Sequence, residues 1–438
     1  MKLFRRVLAI VLLSTLLVGA IGWYRVAAEP IDGKLDLNIS GGNWIDTTTG
    51  PYMVQGAYNS GARWTFVTVV WYSIEENAPS APCPTLDGTT TVIGTATYLY
   101  YSHGPTGQCH KYRVQDTNGP NDLENLDQLI PKWGNSGGLR GNGNYIAMGM
   151  YAPPRWAGGQ PCEGVGAPGQ DQCAMIFRDH LTTFSNGALD LAHFLVERYN
   201  PGAFSVWNEP DGYRYLSIQP DLSRVYCCSG GLQIWPSWQD YVTYLLQPIA
   251  NDLHPFHPGI LIMGPELSTK FDGGGDSDNT DPNWCGAPSC DTGGVSVGFW
   301  IANWTHYILT NFPNLVDRWT LHSYSDPDQG TKHNVDVTWN EMLADGQTKF
   351  IWVTEANKST GGCNWTQIDR YNWLCKLGNT QTWDATFWFP ASDSDPCTDY
   401  GTPTATTGGG LMGSPGSNYA QKWLLYAFHQ YLAGQLSC

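Results

Sequence analysis

Short apolar runs alternate with longer segments of helical periodicity from residue 35 to residue 432. Eight of the apolar runs predict strands, and a helical segment follows each of them. The predicted strands are Leu35 to Ser40, Trp64 to Trp71, Tyr145 to Pro153, a run that carries Glu209, Ile260 to Leu267, Arg318 to Tyr324, a run that carries Glu355, and Ala385 to Ser392. Because strands that alternate with helices are typical of a parallel sheet wrapped by helices, the pattern predicts the α/β class and a (β/α)8 TIM barrel.

The eight units leave no linker or low-complexity stretch for an appended module, so residues 29–438 are predicted to form a single domain. Two other folds fit less well. No GxGxxG motif follows the first strand, as in many open doubly wound sheets, and the helical segments are too many for a β-sandwich. The helix after the third strand is predicted to run from Met175 to Tyr199, and a long cysteine-bearing insertion follows the second strand.

The first 28 residues have the pattern of a targeting segment. Three basic residues precede an apolar run at 7–23, and the small residue Ala28 suits a cleavage site. The run is long for a signal peptide and short for a membrane span. We favour a cleaved signal peptide over a retained N-terminal membrane anchor. In both cases we expect the remaining chain to be extracellular, either secreted or anchored to the cell surface.

Twelve cysteines agree with an oxidising compartment, where disulfides persist. Their spacing predicts bridges that would staple long loops, and it does not match the common zinc motifs. The predicted pairs are Cys83 with Cys109, Cys162 with Cys173, Cys285 with Cys290, and Cys363 with Cys375, while the adjacent Cys227 and Cys228 pair either with each other or elsewhere.

Charge and aromatic content narrow the choice of partner. The formal net charge of −16 at pH 7 repels phosphate backbones, so no nucleic-acid partner is predicted. The 20 Trp and 23 Tyr residues include rings suited to stacking on sugars. An oligosaccharide or a neutral polysaccharide is compatible with both features, and we expect a monomer.

Two of the apolar runs end on a glutamate. FSVWNEPDG (204–212) stops as a strand at Glu209, because Pro210 has no backbone N–H and cannot continue a ladder. KFIWVTEANKS (349–359) ends in the same way on Glu355. Two carboxylates at strand ends suit glycoside hydrolysis, in which one protonates the leaving oxygen and the other attacks or activates water.

The WNEP and VTE motifs that contain Glu209 and Glu355 resemble the acid/base and nucleophile signatures of clan A retaining glycoside hydrolases, such as families 5 and 39. Two further stretches are similar to the second and sixth strands of that clan, GARWTFVTVVWYSIEENAP (61–79) and LHSYS (321–325). All four follow the order of the clan. The resemblance implies a (β/α)8 barrel in which Glu209 is the general acid/base and Glu355 the nucleophile.

The resemblance also implies residues around the two glutamates. Asn208 matches the residue that hydrogen-bonds the sugar 2-hydroxyl, and Trp388 matches the aromatic floor beneath the sugar. Tyr324 is favoured to orient Glu355, and His322 to contact substrate. The implied substrate-binding set is Asn208, His322, Tyr324, Trp388, Trp71 and Arg155, with Trp71 and Glu75 matching a Trp and a Glu that shape the rim after strand two.

The chain departs from the clan at Phe66, which stands where many members have an arginine that supports the nucleophile. Arg155, after the third strand, is the predicted replacement.

A calcium site is an alternative for one loop. Asp272, Asp276, Asp278 and Asp281 lie close together among glycines, and hard cations prefer such oxygen ligands. The pattern is not an EF-hand, and a solvated loop is favoured. No catalytic metal and no cofactor are predicted.

The favoured function is a secreted retaining glycoside hydrolase that cleaves β-glycosidic bonds in polysaccharides. Endo action is favoured because long loops after strands two to five would form the walls of a cleft. Two alternatives stay open. One is an exo-acting β-xylosidase-like glycosidase, and the other is a non-catalytic carbohydrate-binding or structural surface protein, which Phe66 motivates.

Overall fold

A computed structural model of the chain describes residues 35–39, 50–80, 83, 87–118, 121–131, 137–161, 172–210, 216–219, 238–267, 297–323, 332–356, 365–379, 384–388, 406–407 and 423–435. Several sequence predictions fall outside these residues. They are the targeting segment at 1–28, the aspartate loop at 272–281, Tyr324, and the cysteines Cys162, Cys227, Cys228, Cys285, Cys290 and Cys363. Within the described part, no helix has the length and apolar character needed to cross a bilayer.

Eight parallel strands close into a barrel in the order β1-β2-β6-β9-β11-β12-β13-β15. They are β1 (Leu35–Asn38), β2 (Trp64–Val70), β6 (Tyr145–Tyr151), β9 (Ala203–Ser205), β11 (Leu261–Leu267), β12 (Arg318–Ser323), β13 (Phe350–Ala356) and β15 (Ala385–Trp388). The remaining strands are β3 (Thr90–Ile93), β4 (Ala96–Tyr101), β5 (His110–Asp116), β7 (Gly159–Pro161), β8 (Gln172–Phe177), β10 (Ser217–Gln219), β14 (Trp365–Thr366) and β16 (Thr406–Thr407). The predicted (β/α)8 barrel is confirmed, and its strands are shorter than predicted because several apolar runs continue beyond the ladder.

Helices follow the barrel strands and cover their outer faces. They are α1 (Gly50–Ser60), α2 (Trp71–Ile74), α3 (Asp122–Leu129), α4 (Leu181–Tyr199), α5 (Trp238–Tyr241), α6 (Gln247–Phe256), α7 (Val297–Asn311), α8 (Lys332–Ala344), α9 (Gln367–Asn379) and α10 (Trp423–Leu432), with a π-helical turn at Val242–Leu246 between α5 and α6. Barrel strands buried on both faces are rich in Val, Ile, Leu and aromatic residues, as this architecture requires.

The helix predicted to begin at Met175 begins instead at Leu181. Residues 172–177 form β8, which pairs antiparallel with β7 and parallel with β10 in a small sheet outside the barrel. The helix prediction is wrong for this first part, because pairing with neighbouring extended segments overrides the helical pattern.

The insertion after β2 contains a second small sheet, in which β3, β4 and β5 form an antiparallel meander. The predicted disulfide between Cys83 and Cys109 is present and spans 26 residues. Cys375 is also disulfide-bonded, and its predicted partner Cys363 lies outside the described residues.

Aromatic rings fill the interior of the barrel below the strand ends. Trp64, Phe66, Trp352 and Phe387 belong to one buried cluster with Met263. The ring of Trp352 meets Trp64 edge-on at 5.1 Å and lies 5.5 Å from Phe387. These contacts close the barrel with apolar side chains, so polar chemistry is confined to the rim above them.

Candidate active site

Glu209 and Glu355 meet at the carboxyl-terminal rim of the barrel. Glu209 lies four residues after the end of β9, and Glu355 is the penultimate residue of β13. Both side chains are largely buried, with exposed fractions of 2% and 8% for the two residues. One carboxylate oxygen of each lies within 4.8 Å of the other. The two strand-end glutamates that the sequence singled out are therefore brought together.

A register shift turns Glu355 toward the site. Leu321 of β12 pairs with Val353, whereas His322 pairs with Glu355, so Thr354 is an extra residue in β13. An extra residue reverses the alternation of side chains, and Glu355 therefore shares the side of its partner His322. The side-chain amide of Asn38 donates a hydrogen bond to the carbonyl of Thr354 at 2.9 Å.

His322 lies between the two glutamates and is completely buried. Its Nδ1 is 2.9 Å from Oε1 of Glu209 and 3.5 Å from Oε2 of Glu355. The sequence assigned His322 to the substrate. In the structure the imidazole has no exposed surface and its nitrogens face carboxylates, and its contact with substrate stays a prediction. Tyr324, predicted to orient Glu355, lies outside the described residues.

A third carboxylate, Glu266 of β11, completes the cluster and was missed by the sequence reasoning. Its Oε2 is 3.6 Å from Nε2 of His322, and the residue is fully buried. Its backbone N–H donates to the hydroxyl of Thr320 at 2.9 Å. The available signal was a lone glutamate inside the apolar run at 260–267.

The charges of the cluster shift two of its pKa values. Burial lowers the pKa of His322, but Glu355, Glu209 and Glu266 outweigh it and raise that pKa to about 10. Burial raises the pKa of Glu266, against the opposing effects of His322 and Ser205. His322 is thus a buried imidazolium at neutral pH, with a hydrogen on each ring nitrogen.

Two of the site glutamates have a left-handed backbone. The φ angle is +42° at Glu209 and +47° at Glu266. A residue with a Cβ in this region costs roughly 1–2 kcal/mol and persists only where its surroundings determine it. Such strain at two positions of one cluster makes the rim a candidate functional site.

Asn208 and Trp388 both lie next to the rim. Asn208 directly precedes Glu209 and is partly exposed. Trp388, the last residue of β15, is fully buried and belongs to the large apolar cluster with Ala356. Their contacts with sugar stay predictions.

Trp71 packs against a surrounding helix, and its contact with substrate stays a prediction. The residue is fully buried, and its ring lies against Gly187 and Phe184 of α4. Its indole N–H donates to Oε2 of Glu75 at 2.8 Å. The side chain therefore packs between the barrel and a surrounding helix.

Phe66 stands where many clan members have an arginine, and Arg155 is its predicted replacement. Phe66 is fully buried and packs edge-on against Phe387 at 6.2 Å in the barrel interior. Arg155 is exposed on a 3-10 turn, Arg155–Ala157, and within the described residues it makes no contact with Glu355. The replacement role of Arg155 therefore stays a prediction. Within the described part of the chain, the positive charge seen to face Glu355 is that of His322.

Among the described residues, two groups of side chains have spacing compatible with a metal ion. One is Glu209, His322 and Glu355, and the other is His306 of α7, Glu341 of α8 and Asp345 directly after α8. In both groups the histidine Nδ1 already pairs with carboxylate oxygens at 2.9–3.5 Å. We interpret both as ion-paired clusters.

No protein-family model and no curated protein matches the chain. Its solved structural neighbours include SrfJ from Salmonella typhimurium, at 11% identity over 92% of this chain and 75% of that chain, with a TM-score of 0.48. They also include a family 39 glycoside hydrolase from Bacteroides cellulosilyticus WH2 (12% identity, 93% and 64% of the two chains, TM-score 0.46) and an endo-1,4-beta-D-mannanase from Thermotoga petrophila RKU-1 (13%, 91% and 99%, TM-score 0.47). At such identities, a function for this chain has to be argued from its own side chains.

Proposed function

We propose that this protein is a retaining glycoside hydrolase that cleaves β-glycosidic bonds, with Glu355 as nucleophile and Glu209 as general acid/base. The observation that carries the proposal is the approach of the two carboxylates to within 4.8 Å at the barrel rim. Retaining enzymes hold their carboxyl groups roughly 5–5.5 Å apart, whereas inverting enzymes leave roughly 6.5–9.5 Å for a water molecule. The resemblance of the WNEP and VTE motifs to clan A assigns the two roles.

In the first step, an oxygen of Glu355 attacks the anomeric carbon, and the bond to the leaving oxygen breaks. Glu209 gives its proton to that oxygen, so the leaving sugar departs as a neutral alcohol. A glycosyl ester on Glu355 and a carboxylate on Glu209 result.

In the second step, Glu209 removes a proton from water while the water oxygen attacks the anomeric carbon. The ester bond breaks, Glu355 regains its charge and Glu209 its proton. Two inversions give net retention. The imidazolium of His322, 2.9 Å from Glu209, stabilises the carboxylate of Glu209 in the glycosyl-enzyme intermediate, before water attacks.

The substrate proposed is a neutral polysaccharide outside the cytoplasm, cleaved internally. The targeting pattern at 1–28 supports export. The long segments of sequence that follow the second to fifth barrel strands (β2, β6, β9 and β11) support a walled cleft. Asn208 and Trp388 are the proposed contacts with the sugar next to the broken bond.

The test is a panel of β-glucans, xylan, mannan and galactan together with aryl β-monoglycosides. We expect a polymer to be shortened, with little release from the aryl substrates, and the first-formed sugar to be the β-anomer by ¹H NMR. Release from aryl xyloside without polymer shortening would support the exo-acting alternative. Binding of a polymer without any hydrolysis would support the carbohydrate-binding alternative, and a first-formed α-anomer would refute retention.

A further inference from the structure

We propose that Glu266 is a positioning residue of this site, which faces Nε2 of His322 and so holds the imidazole as a cation with Nδ1 turned to Glu209 and Glu355. The expected effect of Glu266 on the rate of hydrolysis rests on the proposed function. Its expected effect on the protonation of His322 does not depend on that function.

The geometry singles out Glu266 by its place behind the histidine. Its Oε2 lies 3.6 Å from Nε2, on the opposite side of the ring from the nitrogen that meets Glu209 and Glu355. That separation is an ion-pair distance, somewhat longer than a hydrogen bond. Because Glu266 is fully buried, it is shielded from solvent, and the ring nitrogen that it faces is Nε2 of His322.

Strand β11 places the carboxylate of Glu266 beside His322 through an unfavourable backbone conformation. The register between β11 and β12 shifts between Gly264 and Leu267, and Glu266 takes a φ of +47° there. Asn, Asp or Gly would occupy that backbone more easily. The backbone does not account for a glutamate at this position, whereas the approach of its carboxylate to His322 does.

The charged and titratable groups around the pair come from four elements. Glu209 approaches from the segment after β9, Glu355 from β13 and Glu266 from β11, while the buried Tyr241 of α5 faces Glu266. Burial and Glu266 raise the pKa of Tyr241 well above its usual range, so Tyr241 is neutral. His322 is thus the cation shared by three carboxyl groups, and Glu266 is the one that faces Nε2.

The proposed effect concerns Glu209 after it has lost its proton to the leaving oxygen. An imidazolium donates a hydrogen bond to the new carboxylate, whereas a neutral imidazole could carry its hydrogen on either nitrogen. Loss of the charge on Glu266 removes a negative neighbour and lowers the pKa of His322. In the tautomer that carries its hydrogen on Nε2, the site would then have no donor toward the charged Glu209.

The first measurement is ¹⁵N NMR of histidine-labelled protein, with His322→Asn used to assign the signal. In the unmodified protein we expect both nitrogens of His322 to stay protonated to above pH 8. In Glu266→Gln, which keeps an oxygen but not the charge, we expect the pKa of His322 to fall by about 1–3 units. An unchanged titration of His322 in Glu266→Gln would overturn the proposal, whether or not the protein hydrolyses glycosides.

The second measurement is kinetic. Glu266→Gln should lower kcat by roughly tenfold or more with little change in KM, and should move the alkaline limb of the pH profile to lower pH. A rise in KM alone would contradict a positioning role. If Glu266→Gln does not fold, Glu266→Asp takes its place in the same measurements. Its shorter side chain keeps the charge but moves it away from Nε2, so the pKa of His322 should fall by less than in Glu266→Gln.

The matched control is Glu341→Gln. Glu341 lies 3.1 Å from Nδ1 of His306 on the surface of the barrel, in a histidine–carboxylate pair outside the rim. The control should leave the titration of His322, kcat and the pH profile unchanged.

Discussion

At the scale of single residues, Thr354 decides which way the proposed nucleophile points. In a regular ladder without the register shift, Thr354 would pair with His322, and Glu355 would pair with Ser323 on the face opposite His322. The hydrogen bond from Asn38 to the carbonyl of Thr354 holds the bulge in place. The site therefore depends on an irregularity of the ladder as well as on its carboxylates.

The division of labour between the two glutamates gives the sharpest prediction at this scale. Glu355→Ala should abolish turnover on every substrate, because no covalent intermediate can form. Glu209→Ala should still form that intermediate from a dinitrophenyl glycoside, whose leaving group needs no proton, but should then hydrolyse it slowly. Added azide needs no deprotonation and should rescue Glu209→Ala with a β-glycosyl azide as product.

The anomer of that azide, read by ¹H NMR, is the control. With Glu355→Ala, azide would occupy the vacated space and give the α-product. An α-azide from Glu209→Ala would show that the two roles are reversed.

At the scale of elements, the insertion after β2 is tied to the barrel by a buried ion network. His110 of β5 contacts Glu75 through Nδ1 at 2.7 Å and Asp190 of α4 through Nε2 at 2.9 Å. All three side chains are fully buried, and Glu75 also holds the indole of Trp71. The network gives Trp71 and Glu75 a structural role in connecting three elements.

This network predicts a pH-dependent stability. Burial lowers the pKa of His110, but Glu75 and Asp190 outweigh it and raise that pKa to about 9. Because the folded pKa is above the unfolded value, the stabilisation is complete below about pH 6.5 and is lost as pH rises through 9, a change on the order of 3 kcal/mol. The melting temperature should fall over this window, and His110→Gln should flatten the fall.

His103→Gln serves as the matched control, since His103 lies on the same insertion with 63% of its side chain exposed. His322 also has a raised pKa, so some decline should persist in His110→Gln. A full decline in that variant would refute the role of the network.

The sequence predicts a feature of these elements well when residues close together in the chain determine it, and poorly when pairing with distant strands determines it. The barrel strands and both rim glutamates could be predicted, because apolar runs and a proline such as Pro210 act over a few residues. Glu266 could not, since only the shifted register of β11 turns it toward His322. The start of α4 was predicted wrongly because residues 172–177 form strand pairs with segments that the local pattern does not identify.

At the scale of the whole molecule, the net negative charge of the protein should slow its association with negatively charged polymers. A formal net charge of −16 repels anionic polysaccharides over about 30 Å at 0.01 M salt and about 8 Å at 0.15 M. For the neutral polymer that the panel identifies, we expect a carboxymethylated derivative to have a lower kcat/KM at low salt. The difference should shrink as salt is added.

The control for that comparison is the neutral polymer itself, whose kcat/KM should be independent of salt. Equal rates on both polymers at 0.01 M salt would show that the cleft is insulated from the surface charge.

The left-handed backbone at Glu209 and Glu266 also bears on the choice of inactive variants. Asn suits that backbone better than Glu or Ala does, so it relieves the strain at either position. Any substitution that removes a carboxylate also leaves the buried imidazolium of His322 with one negative neighbour fewer, which costs stability. Of two inactive variants made for trapping a bound sugar, Glu209→Asn should therefore melt at a higher temperature than Glu209→Ala, because both lose the charge and only the asparagine suits the left-handed backbone.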